Sequence, residues 1–202
     1  MTQSGRMLKR IGITLAALIL CLWLANEVYA SHSRSVIEKV VAAVQELPNE
    51  TAITEASERL QAVTGRKAVS SLDADGSKEI EYSLVVPQGG LRRLGRVFWF
   101  TITLKFDSAD RLASKRVLFT SNSNSCCSAE VWELASLAGR ETGEFQVARY
   151  DPYSIIVHMG PNASAVESQT AWNWQLSCLT SIAGCDDVRQ VLPSLRPSHR
   201  RE

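Results

Sequence analysis

The chain has 202 residues, of which 45% are hydrophobic and 21% are charged. This composition excludes a disordered chain, a collagen-like repeat and a protein built of many membrane spans. The 22 basic and 21 acidic residues nearly cancel, so the charge balance argues against a nucleic-acid partner. The length predicts one domain behind whatever targeting segment precedes it.

Residues 1–30 have the pattern of an export signal or membrane anchor. Arg6, Lys9 and Arg10 precede residues 11–25, a run without a charged side chain. Basic residues before an apolar run hold the N-terminus in the cytoplasm, which places the body across the membrane, in the periplasm or cell envelope. Fifteen apolar residues suit a signal peptide cleaved after Ala30, whereas continuation of the helix past that residue would give an uncleaved anchor. The sequence leaves both outcomes open.

The remaining chain divides into a body at residues 31–195 and a basic tail at residues 196–202. Within the body, residues 31–120 show clear periodicity, and residues 121–195 contain the cysteines. Removal of residues 1–30 leaves 19 basic and 20 acidic residues, so the body is close to neutral. We expect its partners to be the membrane, through the N-terminal segment, and another envelope protein.

Four cysteines follow the apolar segment: Cys126, Cys127, Cys178 and Cys185. An even number in an exported region predicts disulfides. Two of the three pairings join the adjacent cysteines to the later two and close loops of about fifty residues, and the loop-entropy model favours these long loops. The third pairing joins Cys126 to Cys127. The C-x2-C spacing typical of zinc sites is absent, so we predict neither a metal nor a cofactor.

Two helices open the body. Apolar residues recur at helical spacing in the first, which ends at Pro48: Val36, Ile37, Val40, Val41, Val44 and Leu47. The same spacing in the second predicts a helix capped by Thr51 or Thr54 and ended by Gly65: Ile53, Ala56, Leu60 and Val63. The two segments predict a helical hairpin.

The periodicity then changes from helical to alternating, which indicates strands. Residues 79–86 alternate, and the clearest strand, residues 97–106, carries an apolar face: Phe98, Phe100, Ile102, Leu104 and Phe106. Residues 107–110 form a turn into a third strand at residues 111–120. An antiparallel meander with a helix pair to cover its apolar side predicts the α+β class.

Residues 36–120 resemble a known module in this element order and in the turn at residues 106–112. The pattern is similar to the repeat of small outer-membrane lipoproteins of the β-barrel assembly machinery and of secreted β-lactamase-inhibitor proteins. The resemblance implies a non-catalytic scaffold outside the cytoplasm that presents a sheet surface to another protein.

The C-terminal half gives weaker signals. Residues 129–138 suggest a short helix, and residues 145–149 and 154–159 suggest two strands that extend the sheet. The alternation of Trp172, Trp174, Leu176 and Leu179 suggests a last strand. Asp186 or Asp187 is expected to cap a final helical turn before Pro193.

Candidate binding residues lie beside the clearest strand. Arg92, Arg93 and Arg96 precede Trp99, which alternation places on the face opposite the phenylalanines. An outward tryptophan is typical of a binding anchor, and arginines suit an acidic partner or lipid headgroups. A second layer made by the C-terminal half would instead bury Trp99.

The histidines give little support to catalysis, because His32, His158 and His199 are far apart in the sequence and none lies in a known nucleophile motif. We therefore predict a non-catalytic binding or envelope-assembly accessory protein. The alternatives are an extracytoplasmic enzyme assembled from His158, Asp151 and the cysteines, and a carrier of a small apolar ligand or lipid. A carrier requires a deep apolar cavity between helices and sheet.

Overall fold

The fold is α+β, as the periodicity predicts. A computed structural model describes residues 3–72, 76–87, 97–121, 127–135, 145–181 and 184–195. The helices are α1 (Gln3–Gln45), α2 (Ile53–Thr64) and α3 (Ala165–Ala171). The strands are β1 (Val69–Leu72), β2 (Lys78–Pro87), β3 (Val97–Phe106), β4 (Leu112–Ser121), β5 (Ser128–Leu134), β6 (Gln146–Tyr150) and β7 (Ser154–Met159). Two short 3-10 turns, Ser177–Thr180 and Val188–Gln190, lie near the C-terminus.

Helix α1 is one continuous helix. It joins the N-terminal apolar segment and the first helix of the body, which the sequence analysis treated as separate. Its 43 residues extend over about 65 Å at 1.5 Å per residue. Its second half packs into the core through the predicted apolar stripe: Ile37, Val40, Val41 and Val44. Its first half exposes its large apolar side chains: Ile11, Ile13, Leu15, Leu18, Ile19, Leu20, Leu22 and Leu24. By length and composition, the helical segment Lys9–Gln45 that contains these residues is long and apolar enough to cross a membrane.

The boundary between the exposed and the packed half lies at Ala30, the first fully buried residue of α1. Cleavage after this residue would therefore cut inside a continuous helix, at a position that belongs to the core. Helix α1 ends just before Pro48, which supplies no amide hydrogen to continue a helix.

Helix α2 ends as predicted, at Gly65, whose φ of 65° suits glycine in a left-handed C-cap. The predicted threonine cap is wrong, because the N-cap residue is Ala52 and no side chain caps the helix there. The hydroxyl of Thr51 instead donates to the Pro48 carbonyl at 2.6 Å. The Ile53 amide, at the start of the helix, donates to the Asp110 carbonyl, so the β3–β4 turn supplies an acceptor for this amide.

In the described part of the chain, seven strands form one mixed sheet in the order β1-β2-β3-β4-β5-β7-β6. The antiparallel meander predicted from alternation is present as β2, β3 and β4, and the β6–β7 hairpin extends it as predicted. The sheet is mixed because β5 and β7 pair in parallel. Strand β1, at one edge, was not predicted, and all four of its residues are exposed.

The core lies between one face of the sheet and the helices. The five apolar residues predicted to form one face of β3 are all fully buried. Phe119 of β4 stacks on Phe98 and meets Phe100, both at centroid distances of 4.9 Å. Burial of each large aromatic side chain contributes about 1.5–3 kcal/mol to folding.

Two predictions for the C-terminal half are wrong. Residues 128–134 form strand β5 rather than a helix, because Ala129 and Val131 alternate into the core beside β4 and β7. The last predicted strand is replaced by α3 and a 3-10 turn, because Trp172 directly follows α3 and Leu176 precedes the turn. The predicted cap at Asp187 is confirmed, since its carboxylate accepts from the Arg189 amide at 2.9 Å.

The disulfide pattern also differs from the expected long loops. Cys178 and Cys185 bond to each other across a sequence separation of 7, as the third pairing requires. Cys127 is itself in a disulfide, and its sulfur lies 3.7 Å from the Cys185 carbonyl oxygen. Cys126 lies outside the described residues. The disulfide between Cys178 and Cys185 therefore links two positions within the C-terminal segment, and non-covalent packing holds that segment against the sheet.

We expect the double variant Cys178→Ala/Cys185→Ala to unfold with a free energy about 2.5 kcal/mol lower than that of the parent, since the lost bridge closes a short loop. Chemical denaturation without reductant measures the difference. A loss near 4 kcal/mol would instead fit a loop of about fifty residues and contradict the observed pairing.

Candidate functional site: the open face of the sheet

The two faces of the sheet differ in what covers them. Helix α2, the second half of α1 and the C-terminal segment pack on the face that carries the phenylalanines. The opposite face carries the alternate residues of the same strands, most of them half-buried or exposed. We call this surface the open face and define it by Val85, Trp99, Thr101, Leu118, Trp132, Ile156 and His158.

Trp99 is the most exposed aromatic residue of the described strands, with 43% of its surface accessible. It lies opposite Val85 on β2 and opposite Thr120 on β4. The sequence placed Trp99 on this face but left its burial under the C-terminal half as an alternative. The C-terminal segment packs on the other face, so the tryptophan stays accessible.

The three arginines predicted to assist Trp99, Arg92, Arg93 and Arg96, lie outside the described residues. They belong to the connection between Pro87, the last residue of β2, and Val97, the first residue of β3. Because Pro87 pairs with Val97, this connection starts and ends at the Trp99 end of the β2–β3 pair.

A second aromatic group lies farther across the open face. The rings of Trp132 and His158 meet edge to face at 5.3 Å across the parallel β5–β7 pair. Arg116 and Glu130 form an ion pair of 2.8 Å beside them. The open face thus combines apolar side chains with compensated charges, a composition typical of a protein-binding surface.

Asp151 and His158, two of the residues named for an enzyme, lie apart in the structure. Asp151 lies in the β6–β7 turn, where its Oδ1 accepts from the amides of Tyr153 and Ser154. The hydrogen bond from Arg149, helped by these amides, holds the pKa of Asp151 below its ordinary value. His158 is four residues along β7 from Ser154, about 13 Å away at 3.3 Å per residue. The aspartate therefore serves the turn and cannot orient this histidine.

A buried charged cluster was missed by the sequence analysis. Lys115 on β4 is only 3% exposed, and its ammonium lies 3.2 Å from Glu133 Oε1 on β5. The ammonium also donates to the Leu47 carbonyl at 3.3 Å and lies 5.8 Å from the ring centroid of Trp172. The Trp172 indole donates to Glu133 Oε2 at 2.6 Å.

The cluster joins the end of α1, two strands and the segment after α3 through one buried ion pair. Its groups satisfy one another inside the core, so we assign it a structural role. Lys115 and Glu133 are direct cross-strand partners on β4 and β5. Because the pairing of the two strands brings them together, no local sequence pattern indicates their contact.

Two of the grooves that described residues line lie beside the helices. The larger, of about 420 Å³, lies between α2 and the β1–β2 edge and is lined by polar and apolar residues that include Ser57, Gln61, Lys67 and Ile80. The smaller, of about 170 Å³, lies beside α1 between Tyr29 and Arg66. Within the described residues, no group of three or more His, Cys, Asp or Glu side chains is arranged to hold a metal ion.

Comparisons with known proteins give no family for this chain: no family model, curated protein or solved structure matches it.

Proposed function

We propose that the chain is a membrane-anchored, non-catalytic accessory protein of the cell envelope that offers the open face of its sheet to another protein. The observation that carries the proposal is the continuity of α1. The same helix exposes an apolar half and buries its other half in the core. An exposed apolar surface of this size in water is unfavourable, whereas a bilayer accommodates it.

The burial of Ala30 favours a retained anchor over a cleaved signal. Beyond it, Arg34 donates to the Thr180 hydroxyl at 3.1 Å and pairs with Glu38 at 2.8 Å. The part of α1 next to the apolar half is thus bonded into the C-terminal segment. The basic residues at positions 6, 9 and 10 favour a cytoplasmic N-terminus and a body on the opposite side.

The open face supports a binding role. Trp99 presents an accessible aromatic ring on a rigid central strand rather than on a loop, and aromatic anchors of this kind dominate many protein interfaces. The scaffold role implied by the resemblance of residues 36–120 would use the same surface.

Site-specific crosslinking in the native membrane tests this function. A photoreactive phenylalanine derivative at position 99 is expected to capture a discrete protein partner in the membrane fraction. The same probe at Tyr153, which is 61% exposed in the β6–β7 turn, is the matched control and is expected to capture little. Equal capture at both positions, or none at position 99, would contradict binding through the open face.

A further inference from the structure

The smaller groove, which we call the interfacial cleft, lies where α1 enters the body. Tyr29, His32 and Ser33 of α1 form one side, and Thr64 and Arg66 at the end of α2 form another. Leu84 of β2 contributes to its apolar floor. The cleft has a volume of about 170 Å³ and is open to solvent.

The cleft begins at the depth of the headgroup layer of a bilayer, an inference that rests on the proposed anchoring. The uncharged run ends at Ala25. At 1.5 Å per residue, Tyr29 lies about 6 Å beyond that residue, at the depth of the headgroups, whereas His32 lies about 10 Å beyond it, just outside them. The headgroup layer adds about 5–8 Å on each side of the hydrocarbon core. Tyrosine is also enriched at this depth.

The charge of the cleft suits an anion. Arg66 is exposed, and the only hydrogen bond that the described residues give its guanidinium is one of 3.4 Å from Nη1 to the Ser83 carbonyl. A guanidinium has five N–H donors, so most of them remain available. No carboxylate is among the described residues that line the cleft.

The neighbours of Arg66 complement this charge. The Ser33 hydroxyl, the Tyr29 phenol and the His32 ring can donate hydrogen bonds to oxygen atoms, and Leu84 can contact carbon atoms. A planar guanidinium binds phosphate through two parallel hydrogen bonds. A phosphate attached to a glycerol backbone offers both an anion for Arg66 and carbon atoms for Leu84.

We propose that the interfacial cleft binds the headgroup phosphate of a phospholipid from the membrane in which α1 is anchored, with Arg66 as its main ligand. The bound lipid joins the end of α2 and strand β2 to the membrane surface beside α1. It thereby fixes the rotation of the body about the helix axis.

Native mass spectrometry of the detergent-solubilised full chain, titrated with phosphatidylglycerol, tests the proposal. We expect Arg66→Gln to weaken lipid binding about tenfold, the effect of losing a charge-assisted hydrogen bond of about 1.4 kcal/mol. Arg59→Gln is the matched control, because Arg59 is an exposed arginine of α2, seven residues before Arg66, but is paired with Glu55 at 2.8 Å. We expect it to change lipid binding less than twofold.

Equal binding by the parent and Arg66→Gln, or an equal loss in Arg59→Gln, overturns the proposal. Inorganic phosphate at the same concentration separates the two sources of the anion. We expect it not to displace the lipid, and displacement would show a site for free phosphate instead. Diacylglycerol, which lacks phosphate, is expected not to bind, and binding as tight as that of phosphatidylglycerol would also overturn the proposal.

Alkaline extraction of the same membranes separates this inference from the proposed function. If Arg66→Gln stays in the membrane but loses lipid binding, both proposals are supported. If Arg66→Gln stays in the membrane and binds lipid like the parent, the cleft proposal alone fails. Release of the parent chain by alkali would overturn the anchoring and, with it, the lipid site.

Discussion

Replacement of Glu133 by glutamine is expected to lower the free energy of unfolding by about 3 kcal/mol, because it leaves the ammonium of Lys115 buried without its counter-ion. Glutamine keeps an oxygen to accept from the Trp172 indole, which donates to Glu133 at 2.6 Å. The loss therefore reports on the ion pair rather than on that hydrogen bond. Denaturant titration of the detergent-solubilised chain, followed by tryptophan fluorescence, measures it.

Two further variants complete this test. Lys115→Met in the Glu133→Gln background removes the orphaned charge and is expected to restore at least half of the lost stability, since an apolar side chain suits a position that is 3% exposed. Glu130→Gln, on the opposite face of the same strand, breaks the ion pair with Arg116 and is expected to cost less than about 1 kcal/mol. A cost below 1 kcal/mol for Glu133→Gln would show that the buried pair does not support the core.

The double variant Leu15→Arg/Leu18→Arg is expected to move the chain out of the membrane fraction. Both leucines are more than half exposed on the apolar half of α1. Each arginine near the centre of a spanning helix costs about 2.5–3.5 kcal/mol on insertion scales. Alkaline extraction followed by sedimentation measures the distribution.

Gln45→Arg, an exposed position at the other end of the same helix, is the control and is expected to leave the chain in the membrane. The intact mass of the membrane-bound parent should correspond to the uncleaved chain of 22.3 kDa. A mass that shows cleavage after Ala30 would overturn the anchor, as would retention of the double variant in the membrane.

Periodicity predicted the parts of the fold in which one face of a single element is buried. The apolar alternation of β3 and the helical stripe of residues 36–47 required no knowledge of distant residues, and both predictions are confirmed. In β5 the same signal failed, because Glu133 occupies a core-facing position where alternation expects an apolar residue. Its presence there depends on Lys115 and Trp172, which other segments supply.

The candidate site was predictable only in part. Alternation placed Trp99 on the outer face, but its accessibility depended on where the C-terminal half packs, which no local pattern reports. Cysteine spacing left the disulfide connectivity open, because spacing does not encode which side chains meet in space. Arg66 lies in no motif, and only the approach of α2 to α1 and β2 brings it beside Tyr29.

The parallel contact between β5 and β7 has a consequence for the order of assembly. Strands β2 to β5 pair with their sequence neighbours, whereas the chain leaves β5, builds β6 at the far edge and returns as β7 between them. The β6–β7 hairpin forms from local contacts, but its attachment to β5 closes a longer loop. We therefore expect the hairpin to dock late, onto a meander that is already complete. The same topology makes it a separable unit that can detach while the central strands remain folded.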